Sequence, residues 1–322
     1  MATSKVGFHA SHELYPPSVL LELARRAERA GFAHGMCSDH FHPWTERQGQ
    51  SGFAWSWLGA ALQATGMPYG MVCAPGQRYH PAIIAQAAAT LGEMFPGRVW
   101  VSVGTGQALN EHITGDPWPP KPERQARLRA AVEVLRALWA GETVTRRDGP
   151  VRVAEAKLYT RPAEPPPVFG AALTAETARW VGGWADGLIT AAKPPADLRQ
   201  TLDAFREGGG SGKPVFVQAA VSYAPTEAEA ASAALANWPV CGCQISELED
   251  LPTPQAFARA SAGTTADDVR AKLRVSADLR QHADWIRQDL ELGVTRVYLH
   301  HVGPDMPRFI GAFGEHVLPV VG

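Results

Sequence analysis

Between residues 5 and 302 the chain alternates short apolar runs with longer stretches whose apolar residues recur at helical spacing, eight times in succession. That alternation constrains the fold more than any single motif. Consecutive strands separated by helices pair in parallel through right-handed crossovers, and eight such units within 322 residues suit a closed (β/α)₈ barrel (TIM barrel) better than an open sheet. The strand segments are KVGFHAS (residues 5–11), HGMCSDH, PYGMVCAPG, RVWVSVGTG, EPPPVFGAAL, DGLITAA, PVFVQAAVSY and VTRVYLHHV. Helices are expected from PPSVLLELARRAERAGF to near Gly31, over residues 57–65, from Pro81 through PAIIAQAAATLGEMF, over 124–140, after Thr174 as N-cap, over 198–205, 227–235 and 276–292. Insertions follow strand two (the Trp- and Gly-rich FHPWTERQGQSGFAWSW) and strand seven, where residues 237–268 read as irregular. No linker-like composition divides the chain, so residues 1–322 are expected to form one domain.

The net charge of −2 offers nothing to a phosphate backbone or an anionic bilayer, so neither nucleic acid nor membrane is an expected partner. No apolar run reaches the length of a membrane span, and MATSKVGFHAS lacks the basic and apolar regions of a signal peptide. Cys37 and Cys73 sit in strand-like runs as small hydrophobes, and Cys241-Gly-Cys243 lacks the second pair that a zinc site needs. A reducing, cytoplasmic location is therefore expected.

In such a barrel, chemistry lies at the carboxyl ends of the strands. Those ends carry Glu13, Ser38-Asp39-His40, Cys73-Ala74 and Thr105-Gly106-Gln107. From the second half come Gly170-Ala171-Ala172, Thr190-Ala191-Ala192-Lys193 and His300-His301. Ionisable groups interspersed with small residues suit a large flat cofactor. Each element alone also has a structural reading: Asp39 as a cap, His40 as a core histidine, Glu13 as a surface carboxylate, the tryptophans as packing. Gly104-Thr-Gly106 is neither a dinucleotide fingerprint, since Leu109 stands at the third glycine, nor a phosphate-binding P-loop. His40-x-His42 matches metal-dependent hydrolases, but these need further ligands from later strands, and strands five and six offer only Gly, Ala and Thr. His300 and His301 are adjacent on a strand and point to opposite faces, so at most one lines the site.

Taken together, KVGFHAS-x-E, SDHFHPW, RYHPAIIAQAAATLGEMFPGRV and VGTGQALNEHITG, with GGWADGLIT and VYLHHVG further on, resemble the luciferase-like flavin and deazaflavin oxidoreductases. The group most alike is the deazaflavin-dependent glucose-6-phosphate dehydrogenases. The resemblance implies a luciferase-like (β/α)₈ barrel, a homodimer, and an isoalloxazine-type ring in the strand-end pocket. It places Asp39 on the ring, His40 as acid/base, and Glu13 and Trp44 toward the substrate. Val72-Cys73 falls at a bulge with a non-prolyl cis peptide behind the ring, and Thr105, Gly106 and Gln107 face the ring from strand four. Gly170, Ala171 and Ala172 with Thr174 would hold the cofactor phosphate, and Thr190 would also line the cofactor. Lys193 and His301 are assigned to the substrate side, with Arg259 and Arg274 as further candidates for a phosphate grip.

Gln107 stands where the sugar-phosphate dehydrogenases carry a glutamate, and an amide cannot exchange a proton at neutral pH. With APGQRYHPAIIAQAAATL, this points to a flavin branch. The expectation is an FMN-dependent oxidoreductase or monooxygenase using NAD(P)H as reductant on a small-molecule substrate, with hydride transfer through the flavin N5. The alternatives are the deazaflavin coenzyme F-420 with a sugar-phosphate-like substrate, or a non-catalytic flavin-binding protein on the same barrel.

Overall fold

The computed structural model describes residues 4–321. The eight strand-like runs form β1 (Val6–Ala10), β2 (His34–Ser38), β3 (Tyr69–Cys73), β4 (Val99–Val103), β5 (Val168–Ala171), β6 (Gly187–Ala191), β7 (Val215–Ser222) and β8 (Arg296–His301). Each pairs in parallel with the next in chain order. β8 returns to β1 in the register Val6↔Val297, which closes the barrel.

Glycines recur inside these strands because the barrel interior is filled by large rings. A Cβ on Gly70 would lie 1.9 Å from the Trp100 indole, and one on Gly7 2.3 Å from the Tyr298 ring. The rings so admitted form a layer of Met36, Trp100, Phe169, Ile189, Phe216 and Tyr298 across the barrel. Phe169 and Phe216 stack at 4.3 Å between centroids. Truncating such a ring to alanine costs about 3–5 kcal/mol, because the layer cannot collapse into the gap. On the strands that supply them these residues lie at or before the ones that face the carboxyl-end cavity, Ile189 itself reaching its lining, so the layer is that cavity's rigid floor.

The helices lie within a few residues of their expected spans. Pro17 and Pro81 open theirs, and Thr174 caps Ala175–Gly182 by accepting from the Thr177 amide at 3.2 Å. The irregular reading of residues 237–268 is corrected: the segment folds into Pro239–Gly242, Ile245–Asp250, Pro254–Ala260 and Ala266–Lys272. Thr253 and Thr265 cap the last two helices, offsetting the weak helix propensity of a Pro- and Thr-rich stretch. A further addition is the antiparallel hairpin of Val144–Arg146 with Val153–Ala156. No helix among the described residues is long and apolar enough to cross a membrane.

Candidate active site

A cavity of about 590 Å³ opens at the carboxyl ends of the strands. Its centre is built by the chain's exits from β1 and β2. Glu13 leaves β1 with its carboxylate almost fully buried, and His40 leaves β2 with Nδ1 3.2 Å from Glu13 Oε1. The contact is close but imperfectly aligned, as catalytic hydrogen bonds often are before substrate binds. Ser11 Oγ donates to Glu13 Oε2 at 3.1 Å. Burial, then the charge of Arg78, lowers the His40 pKa to about 4 against the opposing pull of Asp39, so the ring is neutral at pH 7. With Nδ1 turned to Glu13, Nε2 faces the cavity as a base.

Asp39 is held from the other side. Arg78 Nη2 donates to its carbonyl at 2.9 Å and to Oδ2 at 3.1 Å, leaving buried Oδ1 without a protein partner. Arg78 also lies 3.5 Å through Nε from Glu111 Oε1, and its amide donates to Glu111 Oε2 at 2.7 Å. Burial raises the Glu111 pKa despite this cation. Asn110 Oδ1 accepts from the amides of Phe41 and His42 and so fixes the loop after β2. Trp44 packs edge-on against His40 at 5.2 Å and against Phe257, which makes the neighbouring wall aromatic. The segment after β7 adds Trp238, Val240, Cys241 and Leu248 to the lining.

Gly106 has φ +85°, a left-handed conformation that lets the chain turn sharply out of β4. Gln107 then precedes the short helix Ala108–Glu111 in extended conformation, with its Oε1 3.4 Å from Asn110 Nδ2. Thr105, Gly106 and Gln107 line the cavity, as do Val72 and Cys73. All peptide bonds among the described residues are trans, so the cis bond expected at Val72–Cys73 is not found. Instead the Val72 carbonyl accepts from Asp39 N and the Cys73 carbonyl from Gly104 N, continuing a regular ladder.

Ala171, Ala172 and Thr174 line the cavity, as do Thr190 and Lys193. Gly170 does not: its missing Cβ would meet Val181 Cγ1 at 2.4 Å, so this glycine admits a helix rather than a phosphate. His301 is corrected as well. It is fully buried on the outer face of β8, stacked on Phe309 at 4.6 Å, while His300 takes the inner position. Lys193 Nζ donates to the Leu173 carbonyl at 2.6 Å and to Thr201 Oγ1 at 2.8 Å, and burial lowers its pKa. Arg274 reaches the lining but is paired with buried Asp289 at 2.7 Å, and Arg259 is exposed outside it. His42 turns away from His40, with Nδ1 2.9 Å from the Leu109 carbonyl. Among the described residues no group of three or more His, Cys, Asp or Glu side chains is placed to hold a metal.

The model of the luciferase-like monooxygenase family matches residues 2–296. The chain belongs to this family. An F420-dependent glucose-6-phosphate dehydrogenase of Intrasporangium calvum is 36% identical over 328 residues, covering 98% of each chain. A solved F420-dependent secondary alcohol dehydrogenase, in complex with an F420-acetone adduct, superposes with a TM-score of 0.92 at 33% identity over 99% of both chains. The F420-dependent tetrahydromethanopterin reductase of Methanopyrus kandleri, at 22% identity and a TM-score of 0.80 over the full length of both chains, shares the fold.

A flat, polar-edged ring fits against small residues, with unpartnered polar atoms left to meet its edge. Here the wall includes Ala74, Gly106, Ala171 and Ala172, and the buried polar atoms without a protein partner include Asp39 Oδ1 and Thr190 Oγ1. The residues present fit such a group. Sequence reasoning assigned no role to Arg78, Glu111, Ser11, His9 or Gln218. Arg78 and Glu111 lie within the quoted RYHP and GQALNEH stretches, but nothing in their spacing says that they meet around Asp39.

Proposed function

We propose that the protein is a deazaflavin-dependent dehydrogenase that oxidises a secondary alcohol on a small molecule. The observation that carries this reading is His40, neutral, with Nδ1 against Glu13 and Nε2 open to the cavity. A bound deazaflavin supplies the hydride acceptor. The alcohol hydroxyl would give its proton to His40 Nε2 as the hydride leaves the carbinol carbon, and Glu13 would stabilise the imidazolium so formed. Trp44 and the aromatic wall would exclude water from that proton transfer.

Relatives similar along the whole chain are named for the deazaflavin, which favours it over the FMN expected from the sequence. Gln107 favours a simple carbinol over glucose 6-phosphate, because no carboxylate stands there to handle a second proton. Three of the five lysine and arginine side chains that line the cavity point the same way. Lys193 is engaged by Leu173 and Thr201, Arg274 is neutralised by Asp289, and Lys272 at the mouth is exposed, with Nζ 3.4 Å from the Gly242 carbonyl.

Equilibrium titration of the protein with the deazaflavin coenzyme and with FMN, each followed by ligand fluorescence, tests the cofactor. The deazaflavin should bind at least about tenfold more tightly, a difference of roughly 1.4 kcal/mol. Tighter FMN binding would overturn the reading.

A further inference from the structure

Behind Glu13 lies a series of buried polar groups that the proposed reaction does not itself use. Gln218 of β7 places Nε2 3.4 Å from His300 Nδ1, and His300 Nε2 lies 3.2 Å from Ser11 Oγ. Ser11 Oγ in turn donates to Glu13 Oε2 at 3.1 Å, and His40 Nδ1 approaches Glu13 Oε1. Ser11 is fully buried, and His300 is 2% exposed. The directions of these bonds are not free. An ionised carboxylate only accepts, so the Ser11 hydroxyl must donate to it and accept from His300 Nε2–H. His300 Nδ1 is then bare and accepts from the Gln218 amide. Both nitrogens of His300 are occupied, so this ring has none left for a ligand.

We propose that Ser11 and His300 are positioning residues: with Gln218 behind them they form a one-way chain of donors that fixes Glu13 as acceptor and holds His40 as the Nδ1–H tautomer, bare at Nε2. The proposal rests on the reading of His40 as proton acceptor. A Glu13 free to turn would leave His40 without a preferred tautomer, and the Nε2–H form cannot accept a proton there. The rings around the chain keep it rigid. His300 packs against His9 at 4.3 Å between ring centroids, the planes tilted by 38°, and meets Trp238 edge-on at 4.7 Å. The ionisable groups facing His40 are His9, His12 and Glu13 from β1 and its exit, His300 from β8, Asp39 from the exit of β2 and Arg78 from the segment after β3. The histidines His9, His12 and His300 are held neutral chiefly by burial, so the charges that His40 meets are those of Glu13, Asp39 and Arg78.

Heteronuclear NMR of the full chain labelled with isotopic nitrogen in histidine reads both rings directly, without cofactor or turnover. Native protein at neutral pH should show His40 as the Nδ1–H form and His300 as the Nε2–H form. Ser11→Ala removes one donor from the carboxylate, which strengthens its pull on a protonated His40. The His40 midpoint should then shift upward and its tautomers should mix. His300→Leu should act in the same direction by less, and His300→Gln, whose amide nitrogen can still reach Ser11, should restore the native pattern. His40 found as Nε2–H in the native protein, or signals unmoved in both Ser11→Ala and His300→Leu, would overturn the proposal. If a variant does not fold, the native tautomers of the two rings decide the matter alone. A failure to bind deazaflavin would leave these signals as expected and strike only the cofactor reading.

Discussion

Arg78→Met isolates the ion network that supports the site. Arg78 is the cation between Asp39 and Glu111, and the three side chains are 7%, 0% and 2% exposed. Methionine keeps much of the volume and removes the charge, leaving two carboxylates buried without their counter-ion. Breaking a buried pair from one side costs about 3–5 kcal/mol. At the usual unfolding entropy per residue, that loss lowers the thermal midpoint of a 322-residue chain by about 4–7 °C. The pH dependence has a definite sign. Burial already raises the folded-state pKa of Glu111 and Arg78 opposes it, so the variant's pKa rises further. Between the ordinary carboxyl value, about 4.3, and the raised one, the folded chain binds more protons than the unfolded chain, and stability falls as pH rises. The deficit relative to native protein should therefore be smallest near pH 4 and grow through the raised folded value toward about pH 7. Scanning calorimetry of both proteins across that range measures it. A variant as stable as the native protein, or a deficit that does not change with pH, would refute the assigned network.

Four further substitutions bear on the site. His40→Asn should lower turnover by about 10²–10⁴-fold with little change in thermal midpoint; a collapse of stability would make this histidine structural. Thr174→Ala should cost about 1 kcal/mol of stability in a denaturant titration, with weaker coenzyme binding by fluorescence if this helix holds the phosphate. His301→Phe should leave kcat and KM unchanged in a steady-state assay, since the ring stacks on Phe309 outside the cavity; a raised KM would return it to the substrate side. Gly170→Ala should destabilise the fold by about 1–3 kcal/mol through its clash with Val181, while the folded protein binds coenzyme as the parent does.

The barrel was legible because eight alternations leave few other arrangements, and the strand ends then pointed to Glu13, Asp39, His40, Gln107 and Ala171. The errors have physical sources. A glycine at a strand end reads equally as a ligand cradle or as room for a helix, and only Val181 above Gly170 decides between them. Alternation showed that His300 and His301 face opposite ways, but not which faces inward. The register does, by setting Tyr298 over Gly7 and so turning the residue two further on toward the cavity. The short helices of residues 237–272 carried legible signals, a Thr265–Asp268 capping box among them, that the Pro- and Thr-rich composition obscured. The contacts of Asp39 with Arg78 and of Arg78 with Glu111 join segments more than thirty residues apart, and no local pattern reports them.

The proposed dehydrogenase chemistry is read directly in an anaerobic single turnover of deazaflavin-loaded protein mixed with a small secondary alcohol or, separately, with glucose 6-phosphate, the coenzyme's visible absorbance being followed. The alcohol should bleach the coenzyme with one carbonyl product formed per site, His40→Asn should slow this step, and the sugar phosphate should react far more slowly. Rapid bleaching by glucose 6-phosphate with none by alcohols would contradict the substrate reading, and no reduction by either would contradict the proposed dehydrogenase chemistry.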